Sequence, residues 1–163
     1  MKSIASVVGA IIALVGLPSG ISWFFSRVTL DVGTPSYQSN PLTAAFVISN
    51  GGSFRISDIK YKFAMLHLAA GGGPNLNMHG KNVFVTDSSK DIPVLRRDEK
   101  RSLSFPPQFI RMAQDVHQCE IEVVITYRPF PWLIAKETRY RLEAMKDVSG
   151  NWGWHYKATS ENY

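Results

Sequence analysis

His117 and Cys119 stand two apart in "VHQCEIEVVITY", a stretch whose alternation predicts a strand and so places both side chains on one face. An imidazole beside a thiol is the minimum geometry for a zinc pair or an activated nucleophile. Two ligands do not make a site, though: there is no second cysteine, and spacing brings none of His67, His79 and His155 to the pair. It reads as structural, at a strand entrance. Glu120 and Glu122 also share a face, and like charges two apart on a strand mark its solvated side, with Lys or Arg expected on the neighbouring strands. The glycines of "AAGGGP" lack a following Lys-Ser or Lys-Thr and a helix, so they make no phosphate cradle and read as a flexible link between sheets. No serine occupies a G-x-S-x-G elbow. These residues predict no enzyme, no cofactor and no bound metal.

The tryptophans offer a different chemistry. Trp152, Trp154 and Tyr156 alternate on a last strand, so their rings share a face: core if inward, a stacking platform for a sugar ring or a partner if outward. An inward or mixed arrangement is favoured, because a last strand must cover the sheet beside it. Trp132, directly after Pro129-Phe130-Pro131, is the better exposed anchor, against a lipid surface. Trp132, Trp152 and Trp154 are the candidate interaction surface.

The elements that must position these residues follow from size and patterning. A chain of 163 residues and 18.2 kDa has room for one domain and one anchoring segment, and 45% hydrophobic residues suffice for a core. The lone cysteine excludes an internal disulfide, so packing alone must hold the domain. The net charge is +5; beyond Lys2, 17 basic residues face 13 acidic ones, distributed rather than striped. "RRDEKR", Arg96 to Arg101, carries its own acids and reads as a solvated, self-compensated turn. Nucleic-acid binding would need a denser stripe on a recognisable module, and is not expected.

From Ser3 to Ser26 there is no charged side chain, a run of 24 residues that as a helix would reach about 36 Å and span a bilayer. Trp23, Phe24 and Phe25 then fall at the headgroup boundary, and Arg27 stops the span. The competing reading is a cleaved signal peptide, with Lys2 as positive region, Ile4 to Val15 as apolar stretch and "LPSGIS" as cleavage region. Against it, no A-x-A-like pair stands there, and cleavage after the small Gly20 and Ser22 would leave Trp-Phe-Phe as a new terminus. Pro18 and Gly20 predict a bend in the outer third. The amino terminus and Lys2 outnumber Arg27, so the N-terminus is expected in the cytoplasm and the domain in the periplasm or outside. No N-x-[ST] acceptor occurs, in keeping with a bacterial or archaeal origin. The expected organisation is an anchor over 1–26 and a domain over 27–163.

Beyond the anchor the period is two. Val28, Leu30 and Val32 share a face; Ile59, Tyr61, Phe63 and Met65 alternate with Lys60 and Lys62; Ile121, Val123, Ile125 and Tyr127 alternate with Glu120, Glu122 and Thr126. Further strands are expected at Leu42–Ser49, Asn82–Thr86, Arg101–Phe105, Ala135–Ala144 and Trp152–Lys157, punctuated by Asn50-Gly51-Gly52, Arg97-Asp98-Glu99, Pro106-Pro107 and Gly150-Asn151. "PQFIRMAQDV" suits one or two helical turns. Seven to eight short strands without crossover helices predict an all-β antiparallel sandwich, its core built on Phe46, Ile48, Ile59, Tyr61, Phe63, Ile121, Val123 and Ile125.

Four segments carry a resemblance: "NPLTAAFVISNGGSFRISDIKYKF", "VLRRDEKRSLSF", "IEVVITYRPFPW" and "DVSGNWGW". With an Asn-Gly turn between early strands, an acidic-basic turn before a Ser-rich strand and Tyr-x-Pro after a late one, the chain resembles small bacterial single-pass membrane-anchored proteins bearing one immunoglobulin-like β-sandwich. The family is of the general kind seen in adhesion-related and late-embryogenesis-abundant-like modules. The resemblance implies an architecture, and no chemistry. The expectation is therefore a non-catalytic, membrane-anchored interaction module of a cell-envelope assembly, its partners the lipid bilayer and an envelope protein. The alternative is a module that binds glycan or envelope polymer through surface tryptophans.

Overall fold

Alternating apolar residues separated by Gly, Pro, Asn and Asp turns dictate strands that bury one face each, and the chain obeys this from Val28 onward. A computed structural model describes residues 27–71, 76–77, 84–85, 91–105, 107, 110, 116–130 and 134–157. The strands in order are β1 (Val28–Tyr37), β2 (Asn40–Asn50), β3 (Ile56–Ala70), β4 (Leu76–Asn77), β5 (Phe84–Val85), β6 (Ile92–Leu95), β7 (Lys100–Leu103), β8 (Val116–Pro129), β9 (Lys136–Lys146) and β10 (Trp152–Tyr156). The pairing is antiparallel throughout. One sheet has the order β1-β2-β7; the other runs β10-β9-β8-β3, with β4, β5 and β6 all along the far edge of β3. The fold is an all-β sandwich of two antiparallel sheets, as the periodicity predicts.

The sheets close on a shared core whose centre is Phe46 of β2. Its ring lies 5.4 Å from Phe63 of β3, 6.2 Å from Phe105 and 5.6 Å from Trp154 of β10, so one narrow-sheet side chain touches the wide sheet at two places. The eight expected core residues are all buried, joined by Leu42, Ile56, Leu95, Leu142 and Val116. Each large apolar side chain so buried contributes about 1.5–3 kcal/mol, which makes up for the missing disulfide.

The elements depart from the expectation where the period breaks. β3 runs to Ala70 because Leu66 is extruded as a bulge between Met65 and His67, which restores the inward face at Leu68. β6 was not expected: "DIPVLR" holds a proline and exposes Pro93 and Val94, and only Leu95 is fully inward. The strand expected at Asn82–Thr86 is described only at β5, paired to Phe63 and Ala64. The glycines after Ala70 do not link the two sheets, since β3 and β4 flank them and pair with each other in the wide sheet. In "PQFIRMAQDV", Pro107 and Ile110 are helical, Val116 opens β8, and the rest lies outside the described residues.

Candidate functional site

The pole of the sandwich where β1 begins is organised by one amide. Asn50, the last residue of β2, is wholly buried where the chain leaves the narrow sheet for β3. Its side-chain Nδ2 donates to the carbonyls of Phe54 (2.8 Å) and Leu95 (3.2 Å), and its Oδ1 accepts from Gly52 N (3.0 Å). Its backbone carbonyl accepts from Asp98 N at 3.0 Å, and its amide reaches Glu99 O at 3.4 Å. The β2–β3 turn, the end of β6 and the β6–β7 turn are thereby fixed around one residue, with Gly51 N adding a 2.9 Å bond to Arg27 O. A buried amide can do this because it is at once donor and acceptor.

Around this hub the turns present arginines. The β6–β7 turn closes by Glu99 N to Arg96 O at 3.1 Å, with Asp98 left-handed at φ 59°. A cleft of about 730 Å³ lies between this turn and the start of β3, lined by Arg55, Arg96, Arg97 and Arg101 beside Asp98 and Glu99. Arg101 pairs with Glu99 at 2.6 Å and Arg97 with Asp98 at 3.3 Å, the self-compensation expected of "RRDEKR". The backbone amide of Arg96 holds the Glu99 carboxyl below its ordinary range, aided by the Arg101 guanidinium against some desolvation. Phe130 N donates to Arg55 O, which brings the end of β8 to the same pole. There the Arg55 guanidinium lies 5.4 Å from the Phe130 ring centroid, and Phe130 sits 6.0 Å from Phe54. Arg128 pairs with Asp58 at 3.1 Å alongside.

The residues read for chemistry are placed as follows. His117 and Cys119 do not share a face. Ala69 pairs with Gln118 and Ala70 with Val116, so His117 is the extra residue of a bulge; it turns to solvent while Cys119 is fully buried opposite Leu68 and Ala144. Burial, reinforced by Glu120, pushes the Cys119 thiol far up, so it carries no thiolate at neutral pH. Glu122 does face outward with Arg141 opposite and Arg139 at 3.6 Å. Glu120, by contrast, is buried rather than solvated. Burial works to raise its carboxyl, and the bonds from Arg141 and from Lys157 at 3.3 Å outweigh it and hold the group below the ordinary range. Among the described residues no three His, Cys, Asp or Glu side chains cluster as metal ligands.

Trp152 and Trp154 leave the candidate interaction surface. Trp152 is 4% exposed and part of the core, under Lys146 Nζ at 5.0 Å. Trp154 packs on Phe46 and donates from Nε1 to Pro41 O at 3.0 Å. The shared face of these rings is the inward one, because β10 pairs among the described residues with β9 alone and needs it to cover the sandwich edge. Trp23, Phe24, Phe25 and Trp132 lie outside the described residues. Arg27 is exposed, its carbonyl tied to the pole. No helix among the described residues is long and apolar enough to cross a membrane. Sequence reasoning missed Asn50 as a hub and the arginine cleft, since the turns that meet there are 45 residues apart in the chain.

No family model matches the chain, and no curated protein matches it.

Proposed function

We propose that the chain is a single-pass membrane protein carrying a non-catalytic, immunoglobulin-like interaction module. The N-terminus lies in the cytoplasm, Ser3 to Ser26 span the membrane, and the sandwich is displayed in the periplasm or outside, working by protein contact in a cell-envelope assembly. The observation that carries the contact reading is the difference between the two outward faces. The wide sheet's is laddered with ion pairs: Arg139 with Glu137 and Glu122, Arg141 and Lys157 with Glu120, Lys157 with Glu143. The narrow sheet's is small and nearly neutral, with Thr29, Gly33, Ala45, Val47, Ser49 and Ser102 on it and one charge of each sign, Asp31 on β1 and Lys100 opposite Ser49 on β7. It ends on β7, whose outer edge has no strand partner among the described residues. A flat face of short side chains with an open edge lets another chain approach its backbone closely.

The tether reading is supported by the absence of slack. One residue, Arg27, separates the uncharged run from β1, and it is bonded to the pole. A photocrosslinking residue at Ala45 of the full chain, in its native membranes, tests the contact. The expected result is a discrete adduct from Ala45 and none from Lys62 on the opposite outward face. Recovery of the chain alone from both positions overturns the contact role; recovery as a soluble chain starting at or beyond Trp23 overturns the tether.

A further inference from the structure

Among the described residues the pole where β1 begins is strongly basic. Arg27 and Arg128 join the four arginines of the cleft and the adjoining Lys100, against Asp58, Asp98 and Glu99. The same pole exposes large apolar side chains, Phe54, Val94, Phe130 and Ile134. Guanidiniums interleaved with exposed aromatic rings are the chemistry of a headgroup boundary, where the ring enters the acyl edge and the fork grips phosphate oxygens. Chain connectivity points the same way. The uncharged run ends one residue from this pole, and the Gly51 N to Arg27 O bond fixes that residue, Arg27, to it.

We propose that the arginine pole binds anionic phospholipid headgroups of the bilayer in which the N-terminal segment is lodged. Arg55, Arg96 and Arg97 take phosphate oxygens, and Phe54 and Phe130 enter the boundary. The inference rests on the tether reading and adds what that reading lacks, a fixed orientation: the narrow sheet's outward face and the β7 edge stand upright from the membrane, open to a partner from the side.

The test uses the full chain in vesicles of phosphatidylcholine, with or without about 30 mol% phosphatidylglycerol. Cys119 is buried, so a fluorophore can be placed by Ser53→Cys on this pole or by Ser149→Cys on the far one, and quenched by a headgroup-nitroxide lipid. Quenching at position 53 is expected to rise about twofold with the anionic lipid and to fall back in about 0.5 M salt, while position 149 stays unquenched. The double variant Arg96→Glu with Arg97→Glu should abolish the rise; the salt series needs no variant and decides the matter if that protein fails to fold. Equal quenching in both lipids, or a rise indifferent to salt, overturns the inference. Carbonate extraction of the same vesicles reads the tether separately. If the chain is extracted, the tether fails, and flotation of that chain with the anionic vesicles still decides the headgroup binding.

Discussion

The two poles of the sandwich are closed by the same residue type at the two ends of one strand, and they are closed differently. At the near pole the chain crosses between sheets twice, from β2 to β3 and from β6 to β7, so backbone groups leave one ladder before entering another. Asn50 supplies their partners, with three side-chain bonds. At the far pole β1 turns back into β2 within one sheet and the β7–β8 connection makes a single crossing, and Asn40 has less to do: it donates to Ile110 O of that connection at 2.8 Å and accepts from Leu42 N at 2.9 Å. Charge differs too. The near cleft is lined by four arginines, whereas the far one, about 530 Å³, has Lys146 and His117 among neutral neighbours. Each pole sets a buried asparagine beside a sheet crossing, and where two crossings meet the asparagine holds more turns, which together become a surface.

Breaking the hubs should give the largest effects. Asn50→Ala strands Gly52 N and the Phe54 and Leu95 carbonyls in a buried site, and should cost about 3 kcal/mol in denaturant unfolding. Asn40→Ala, with fewer groups orphaned, should cost about 1–2 kcal/mol. Equal losses would mean that two crossings demand no more of their asparagine than one. On the wide sheet's outward face, Glu120→Gln should cost about 1–2 kcal/mol, a buried pair discounted for its half-exposed Arg141 and Lys157 partners. Because the Glu120 carboxyl is held below its ordinary value, its stabilisation is complete above the usual carboxylate range and is lost as pH falls through the lowered value. The variant's stability should therefore fall less steeply on acidification than the parent's.

How much of this was legible depends on whether the signal is local. Alternation marks the long strands and the whole expected core, because inward and outward residues differ in type every second position, but it marks neither β4 nor β6. It mispaired His117 with Cys119, since a bulge adds one residue and flips the face with no change in composition. It makes Glu120 a solvated residue because its cover comes from Arg141 on β9 and from Lys157 just beyond β10. Asn50 was read as a turn residue, which it adjoins; its burial depends on β6, which a short proline-bearing segment does not announce. The arginine cleft needed the fold, whereas the uncharged run ahead of it is plain in the sequence.

A smaller effect sharpens the near pole where the anchor joins it. β1 is an edge strand, and its outer carbonyls are covered by the wide sheet's tyrosines: Tyr140 Oη donates to Val28 O at 2.6 Å and Tyr156 Oη to Leu30 O. Burial, with Tyr156 and Tyr127 nearby, pushes the Tyr140 phenol up to about 12, so it remains a donor throughout the physiological range. Tyr140→Phe should cost about 1 kcal/mol and loosen the first residues after Arg27, seen as faster amide exchange near Val28 than near Tyr37.

The smallest effect compares the two turns themselves. Each is pinned by one acid: Glu99 accepts from Arg96 N at 2.9 Å, and Asp147 Oδ1 accepts from Ser149 N at 2.8 Å and Asn151 N at 2.9 Å. Hydrogen bonding to Asn151 and Ser149, against some desolvation, holds Asp147 below its ordinary value, as the Arg96 amide does Glu99. Both pins are complete at neutral pH and are released as pH drops through the lowered carboxyl values. The consequences should differ. Protonating Asp147 loosens a hairpin end whose Gly150, at φ 82°, already suits the turn. Protonating Glu99 frees Arg96 N and removes the partner of Arg101, so the arginine pole gains a net charge as its turn loosens. Amide shifts of Arg96 and Ser149 followed by NMR should each report the acid step of its own carboxyl. Association with anionic vesicles should strengthen only across the Glu99 step, and Glu99→Gln should fix it at the higher level while Asp147→Asn leaves it unchanged.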